Sequence, residues 1–74
     1  MRVLVTGGAG FIGSHIVEYF QQRADVRVMD NLRSGFKHNL AAFSHEFLEA
    51  SILDREAVRR AMQGVDYVFH LAAM

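Results

Sequence analysis

The stretch Gly7-Gly8-Ala9-Gly10-Phe11-Ile12-Gly13 decides the reading of this 74-residue chain. It separates two segments of different periodicity. Before it, Arg2-Val3-Leu4-Val5-Thr6 is aliphatic and β-branched, the profile of a strand buried on both faces. After it, Ile12, Ile16, Tyr19 and Phe20 recur at helical spacing, with Ser14, Glu18, Gln21 and Gln22 on other faces. That pattern predicts a helix from about residue 11 to residue 23, with Tyr19 in the core. A strand therefore turns sharply into a helix through a glycine-rich segment. Such a turn suits a backbone that must approach another group closely or take positive φ. The helix start beyond it offers free N–H groups and a partial positive charge to an anion.

Working outward, Val26-Arg27-Val28-Met29-Asp30 reads as a second strand that ends in an acid. Asp30 lies 17 residues after Gly13 and 23 after Gly7, bracketing the spacing of about 20 found in dinucleotide-binding βαβ units. Gly8, Gly10 and Gly13 satisfy G-x-G-x-x-G, whereas Gly7, Gly10 and Gly13 satisfy G-x-x-G-x-x-G, and spacing alone does not choose. The plainer alternative is a tight βα turn without ligand, followed by an ordinary loop acid. Strand, helix and acid coincide with the glycines, and together they point to dinucleotide binding, with Asp30 accepting hydrogen bonds from the adenosine ribose. An acid there repels a 2′-phosphate, so NAD is expected rather than NADP. Arg33 works the other way if it pairs with a phosphate. Otherwise it is a solvated loop cation or lies over the adenine face.

The remaining chain keeps the alternation. Asn31 to Phe36 is a polar loop, and residues 37–43 allow one or two short helical turns. Glu46-Phe47-Leu48-Glu49-Ala50 reads as a third strand. Asp54 is placed to cap a helix whose buried stripe is Ala57, Val58, Ala61 and Met62, with Gly64 as its stop. Asp66-Tyr67-Val68-Phe69-His70-Leu71 is a fourth strand. The order β-α-β-α-β-α-β predicts an α/β fold, a Rossmann-type parallel sheet with flanking helices and right-handed crossovers, of which these residues form the N-terminal half.

Composition narrows the function classes. There is no cysteine, so a disulfide framework and a thiolate metal site are excluded. Eight Lys+Arg offset eight Asp+Glu, which leaves no basic field for nucleic acid. The apolar runs are far shorter than the roughly 20 residues of a membrane span, and the N-terminus lacks a processing signal. A soluble, cytoplasmic protein is expected. Residues 1–74 read as part of an NAD-binding domain whose fourth strand is uncovered, which predicts self-association as a homodimer.

Three segments resemble the extended short-chain dehydrogenase/reductases, in the NAD-dependent epimerase/dehydratase family. Val5 to His15 resembles their nucleotide-binding turn. Asp30-Asn31-Leu32-Arg33-Ser34-Gly35 is similar to their ribose- and adenine-side loop, above all that of the UDP-glucose 4-epimerases. Val68 to Ala73 resembles their fourth-strand motif. The resemblance runs over the whole chain. It implies that Gly7, Gly10 and Gly13 frame the phosphates, with backbone contacts from Phe11 and Ile12. It implies a ribose clamp at Asp30, adenosine contacts from Asn31, Leu32, Arg33, Ser34 and Gly35, and a close approach to the cofactor by Leu71, Ala72 and Ala73. Where the family has an acid followed by Ile to hold the adenine amino group, this chain has Ser51-Ile52, so that contact is expected to be weaker.

The resemblance further implies NAD as cofactor and a nucleotide-sugar substrate for the complete protein. The reaction it implies is a 4-epimerisation through a 4-keto sugar; the alternatives are the 4,6-dehydration or decarboxylation of the same family, or a non-catalytic dinucleotide-binding module. The family's Tyr-x-x-x-Lys pair belongs downstream of the fourth strand, with the substrate domain. Tyr19 and Arg23 lie on the first helix, and Tyr67 is followed by Leu71, so no catalytic residue is expected within residues 1–74.

The other polar residues read more plainly. His15, His38, His45 and His70 have no metal-ligand spacing. His15 fits a helix surface or a place near phosphate. His70 fits a strand end beside the cleft, with no orienting acid nearby in sequence to make it a base. Arg55, Arg59 and Arg60, interleaved with Asp54 and Glu56, read as a solvated helix face. Met29, Met62 and Met74 read as packing.

Overall fold

The computed structural model describes residues 1–32 and 40–71. Six elements follow one another: β1 (Arg2–Thr6), α1 (Phe11–Phe20), β2 (Asp25–Asp30), β3 (Glu46–Glu49), α2 (Arg55–Met62) and β4 (Tyr67–His70). The four strands form one parallel sheet in the order β3-β2-β1-β4. Two crossovers travel one way along the sheet, from β1 to β2 and from β2 to β3. The third returns past both to reach β4. If all three share a hand, the third must lie on the opposite face. The packing agrees. Val17 of α1 and Leu40 of the β2–β3 connection cluster with Val3, Val5, Val26 and Val28. Ala57 and Ala61 of α2 cluster with Leu4 and Met29 on the other face. β1 is thus covered on both sides, as its unbroken apolar run requires.

The helices depart from expectation in informative ways. α1 ends at Phe20, and the residues after it close as turns, with the Gln21 N–H donating to the Val17 carbonyl and those of Arg23 and Ala24 to that of Phe20. Its buried stripe is Gly13, Val17 and their neighbours Ile16 and Phe20. Tyr19 is 56% exposed and Ile12 64% exposed, so neither belongs to the core. The cause lies in Gly13. A Cβ there would sit 2.6 Å from the Gly8 Cα and closer still to the Gly7 carbonyl oxygen. This backbone-to-backbone contact fixes the rotation of the helix and turns positions 12 and 19 outward. Tyr19 instead lies under the Arg23 guanidinium, 4.1 Å from ring centroid to Cζ.

α2 is capped as expected, the Asp54 carboxylate accepting the Ala57 N–H at 3.2 Å. Ala57 and Ala61 are buried, Val58 is partly so, and Met62 is turned out to solvent. Gly64 takes φ +71° just beyond the helix and supplies the left-handed stop. Arg27 completes that end. From the α2 face of β2 its Nη1 donates to the carbonyls of Ala61 at 2.7 Å and Gln63 at 3.0 Å, while Nε donates to Glu46 at 2.7 Å. A cation at the carbonyl end of a helix opposes its dipole. In the β2–β3 connection, the described part is one tight turn, the Phe43 N–H donating to the Leu40 carbonyl. Residues 37–39 of the predicted short helical segment lie outside the described residues.

Candidate dinucleotide site

β1 sits between β2 and β4, and the strand order reverses around it. In open parallel sheets the crevice beyond the strand C-termini at such a reversal is where ligands bind. The glycine-rich stretch leaves β1 at that point. Its four glycines do different work. Gly7 takes φ +75°, the left-handed region, and its N–H donates to the Met29 carbonyl at 2.8 Å, so the turn starts pinned to β2. A Cβ on Gly8 would lie 2.6 Å from Val28 Cγ1. Gly13 allows the helix to touch the turn, as described above. Gly10 differs from all three. Its φ of −78° is open to any residue, and among the described residues a Cβ there would meet only the Gly7 oxygen, at an ordinary 3.5 Å. Neither conformation nor internal packing asks for glycine at position 10. The space over it is the space a closely approaching ligand would use, and the turn fits a pyrophosphate on that ground.

These assignments bear on the two registers. A tight turn falls on Gly7 and a helix-packing contact on Gly13, with the sterically unconstrained Gly10 between them. Gly8 is a fourth glycine with a packing role of its own.

The helix start behind the turn is bare. Gly10 is the N-cap, no side chain caps α1, and no acid stands in its first turn. Phe11, Ile12 and Gly13 open the helix and so have no carbonyl of their own helix to bond. The side chains of Phe11, 79% exposed, and Ile12 point away from the core. Within the helix surface Ser14 Oγ donates to the Phe11 carbonyl at 2.9 Å, and the Phe11 and His15 rings meet edge to face at 4.8 Å.

Asp30 lies next to the turn but is not turned out to solvent; it is 8% exposed. One carboxylate oxygen accepts the Ala9 N–H at 2.9 Å and the other the Leu32 N–H at 2.7 Å. The acid therefore braces the glycine turn against the end of β2, a role sequence reasoning did not anticipate. Each oxygen retains acceptor capacity beyond that one bond. Leu32 takes φ +62°, unusual for a branched apolar residue. The Asp30 bond to its N–H closes a two-residue Asx turn that supports this geometry.

Ser51 and Ile52 come to the same end of the sheet, because the Ala50 N–H donates to the Asp30 carbonyl at 3.1 Å. Ser51 Oγ accepts the Leu53 N–H at 3.0 Å, and Ile52 packs on the α2-side cluster. On the other side, Thr6 ties β1 to β4. Its Oγ1 lies 2.8 Å from His70 Nδ1, and its carbonyl and hydroxyl oxygens both receive the Leu71 N–H, at 3.0 and 3.1 Å. Thr6 was legible only as a polar residue closing an apolar strand. Asn31 follows Asp30 at the same strand end and is exposed. Of the predicted contacts, Gly7, Gly10, Phe11, Ile12, Gly13, Asp30, Asn31, Leu32, Ser51, Ile52 and Leu71 all lie at or just past the strand C-termini. Arg33, Ser34, Gly35, Ala72 and Ala73 lie outside the described residues.

A groove at the opposite end of the sheet, lined by Arg2, Gln21, Asp25, Ser44, His45 and Glu46, mixes both charges and has no glycine turn. No group of three His, Cys, Asp or Glu able to hold a metal occurs among the described residues, and none of their helices is long and apolar enough to cross a membrane.

Known proteins place this geometry. A probable dTDP-glucose 4,6-dehydratase of Sinorhizobium fredii is 45% identical, over 99% of this chain and 23% of its own length. The crystal structure of a UDP-glucose 4-epimerase from Thermotoga maritima with UDP-glucose superposes with a TM-score of 0.90 at 48% identity, covering 100% of this chain and 25% of the other. A UDP-glucose 4-epimerase of Thermus thermophilus, in complex with NAD, gives 0.85 at 46%, covering 100% and 24%. The chain thus spans about a quarter of the length of the proteins it resembles. The model of the NAD-dependent epimerase/dehydratase family matches residues 3–74, and the chain belongs to that family.

Proposed function

We propose that this chain is the NAD-binding portion of a nucleotide-sugar 4-epimerase. The observation that carries the cofactor half of this reading is Gly10, a glycine that neither the backbone nor the packing needs, set over a helix start without a cap. On this reading the N–H groups at the start of α1 receive the pyrophosphate. Asp30 does two things at once: it holds the turn through Ala9 and accepts from the ribose with its remaining lone pairs. Beside Asp30 a 2′-phosphate would be repelled, which favours NAD over NADP. Leu71, held to Thr6 at the end of β4, meets the cofactor from that side.

When bound, NAD supplies a hydride acceptor that can return the hydride. This chain's own residues bind and orient it, and the groups that move protons on the sugar are assigned to sequence downstream of β4. The exposed Tyr67 and Val68 of edge strand β4 support a sheet that continues, through further chain or in a homodimer. The 45% identity to a probable 4,6-dehydratase favours, as a second reading, dehydration of a nucleotide sugar after the same first oxidation.

Calorimetric titration of the protein with NAD and NADP tests the cofactor, with NAD expected to bind at least about tenfold more tightly. Equal affinity, or a preference for NADP, contradicts the role given to Asp30. Incubation of the full-length protein with UDP-glucose separates the reactions. Appearance of the C4 epimer supports the first reading, and a 4-keto-6-deoxy product from UDP- or dTDP-glucose supports the second.

A further inference from the structure

We infer that Asp30 is first of all a positioning residue. Its carboxylate sets two walls of the crevice before any ligand arrives, and so governs affinity even for a dinucleotide that offers it no ribose hydroxyls. The inference rests on the dinucleotide reading above and gives the acid a different main task.

The carboxylate spans two segments of chain. One oxygen accepts the Ala9 N–H at 2.9 Å, inside the glycine turn, and the other accepts the Leu32 N–H at 2.7 Å, where the chain leaves β2. Each segment has a use for its bond. The Gly7 N–H ties the start of the turn to the Met29 carbonyl, and Asp30 adds a second tie to β2 two residues later. Ala9 is fully buried, so water does not readily take the carboxylate's place there. Leu32 holds φ +62°, a left-handed backbone that its Cβ disfavours, while its side chain packs on the cluster of Val28 and Leu40. The Asp30 bond supports that geometry.

Charge and positioning predict opposite signs. An acid beside a turn that receives a diphosphate repels it, so on charge alone its removal tightens binding. On the positioning view removal loosens binding, because the ligand must then order the turn and the β2 exit itself. Hydrogen bonds to a carboxylate are among the stronger ones, and solvent at an open crevice screens the repulsion. Positioning should win.

The test pairs NAD with its analogue lacking both adenosine ribose hydroxyls, by calorimetry, on the protein, Asp30→Ala and Asp30→Asn. Asp30→Ala should bind the analogue at least about tenfold more weakly than the unaltered protein does. Asp30→Asn, which loses the charge but keeps one acceptor oxygen, should fall between the two. Unchanged or tighter binding of the analogue to Asp30→Ala, with circular dichroism showing the fold intact, overturns the inference. So does a complete loss of analogue binding by the unaltered protein, since the hydroxyls would then carry the affinity. Amide hydrogen exchange on the ligand-free, unaltered protein depends on no variant's folding. The Ala9 and Leu32 amides should be protected at least about a hundredfold, and exchange of Leu32 at the rate of an unstructured chain overturns the inference. Failure of the unaltered protein to bind NAD, with both amides protected, overturns the dinucleotide reading instead.

Discussion

The two helices of this chain begin at equivalent places, each just past the end of a strand, and they begin in opposite ways. α2 is satisfied from within. Asp54 caps it, Glu56 adds negative charge to its first turn, and Arg59, Arg60 and Arg27 stand at its carbonyl end. α1 has a glycine for an N-cap, no acid in its first turn and no basic residue in its last. Its start carries the same unsatisfied N–H groups and partial charge that α2 neutralises with its own side chains. The difference teaches that no described side chain neutralises the start of α1, which is what the proposed pyrophosphate site requires. A chain able to place a capping acid at one strand-to-helix junction has a glycine at the other.

The largest effect that would break this comparison is expected at Gly13. Gly13→Ala forces a Cβ into the Gly7–Gly8 backbone, where nothing can rotate away, and should destabilise the fold by about 3 kcal/mol in urea denaturation. A loss below about 0.5 kcal/mol would show that α1 is not seated on the turn as described. Next comes Asp54→Ala, which should cost about 1 kcal/mol and leave NAD affinity unchanged, since that cap serves only the fold. A matching fall in NAD affinity would remove the distinction between the two helix starts.

The smallest effect concerns the far end of α2. The Arg27 guanidinium, hydrogen-bonded to Glu46, holds the Glu46 carboxyl below its ordinary value of 4.5. A depressed folded-state pKa contributes stability that is present above the unfolded value and lost as pH falls through the folded one. Glu46→Gln should therefore lower stability slightly at neutral pH, leave it unchanged well below pH 4.5, and so flatten the acid side of the profile. An unaltered acid slope would mean that solvent screens this exposed pair completely.

How much of this was legible beforehand follows from what each residue type constrains. The succession of strands and helices along the chain, the glycine turn, the Asp54 cap and the Gly64 stop were readable because they depend on local chemistry: β-branched runs, missing Cβ atoms, a short acid before an apolar stripe. The rotation of α1 was not, because it is set by Gly13 meeting the backbone of Gly7 and Gly8, a contact between residues with no side chain to show in a pattern. That one contact moved Tyr19 and Ile12 from core to surface. The two bonds of Asp30 to Ala9 and Leu32 were hidden for a similar reason. Spacing placed an acid at the end of β2 but could not show which backbone N–H groups the fold turns toward it. Arg27 read as an ordinary strand residue, and its reach to the end of α2 needed the crossover to be folded first.

The register of the glycine motif turns on space rather than on count. Gly7, Gly8 and Gly13 each have a reason internal to the protein, and Gly10 has none. The most direct measurement is therefore made on Gly10→Val, by calorimetric titration with NAD alongside a thermal denaturation curve of the same sample. The account predicts a melting temperature close to that of the unaltered protein and a loss of NAD affinity of at least about a hundredfold, because the added side chain fills the space the pyrophosphate needs. Retention of NAD affinity within about twofold, with the fold intact, would contradict it.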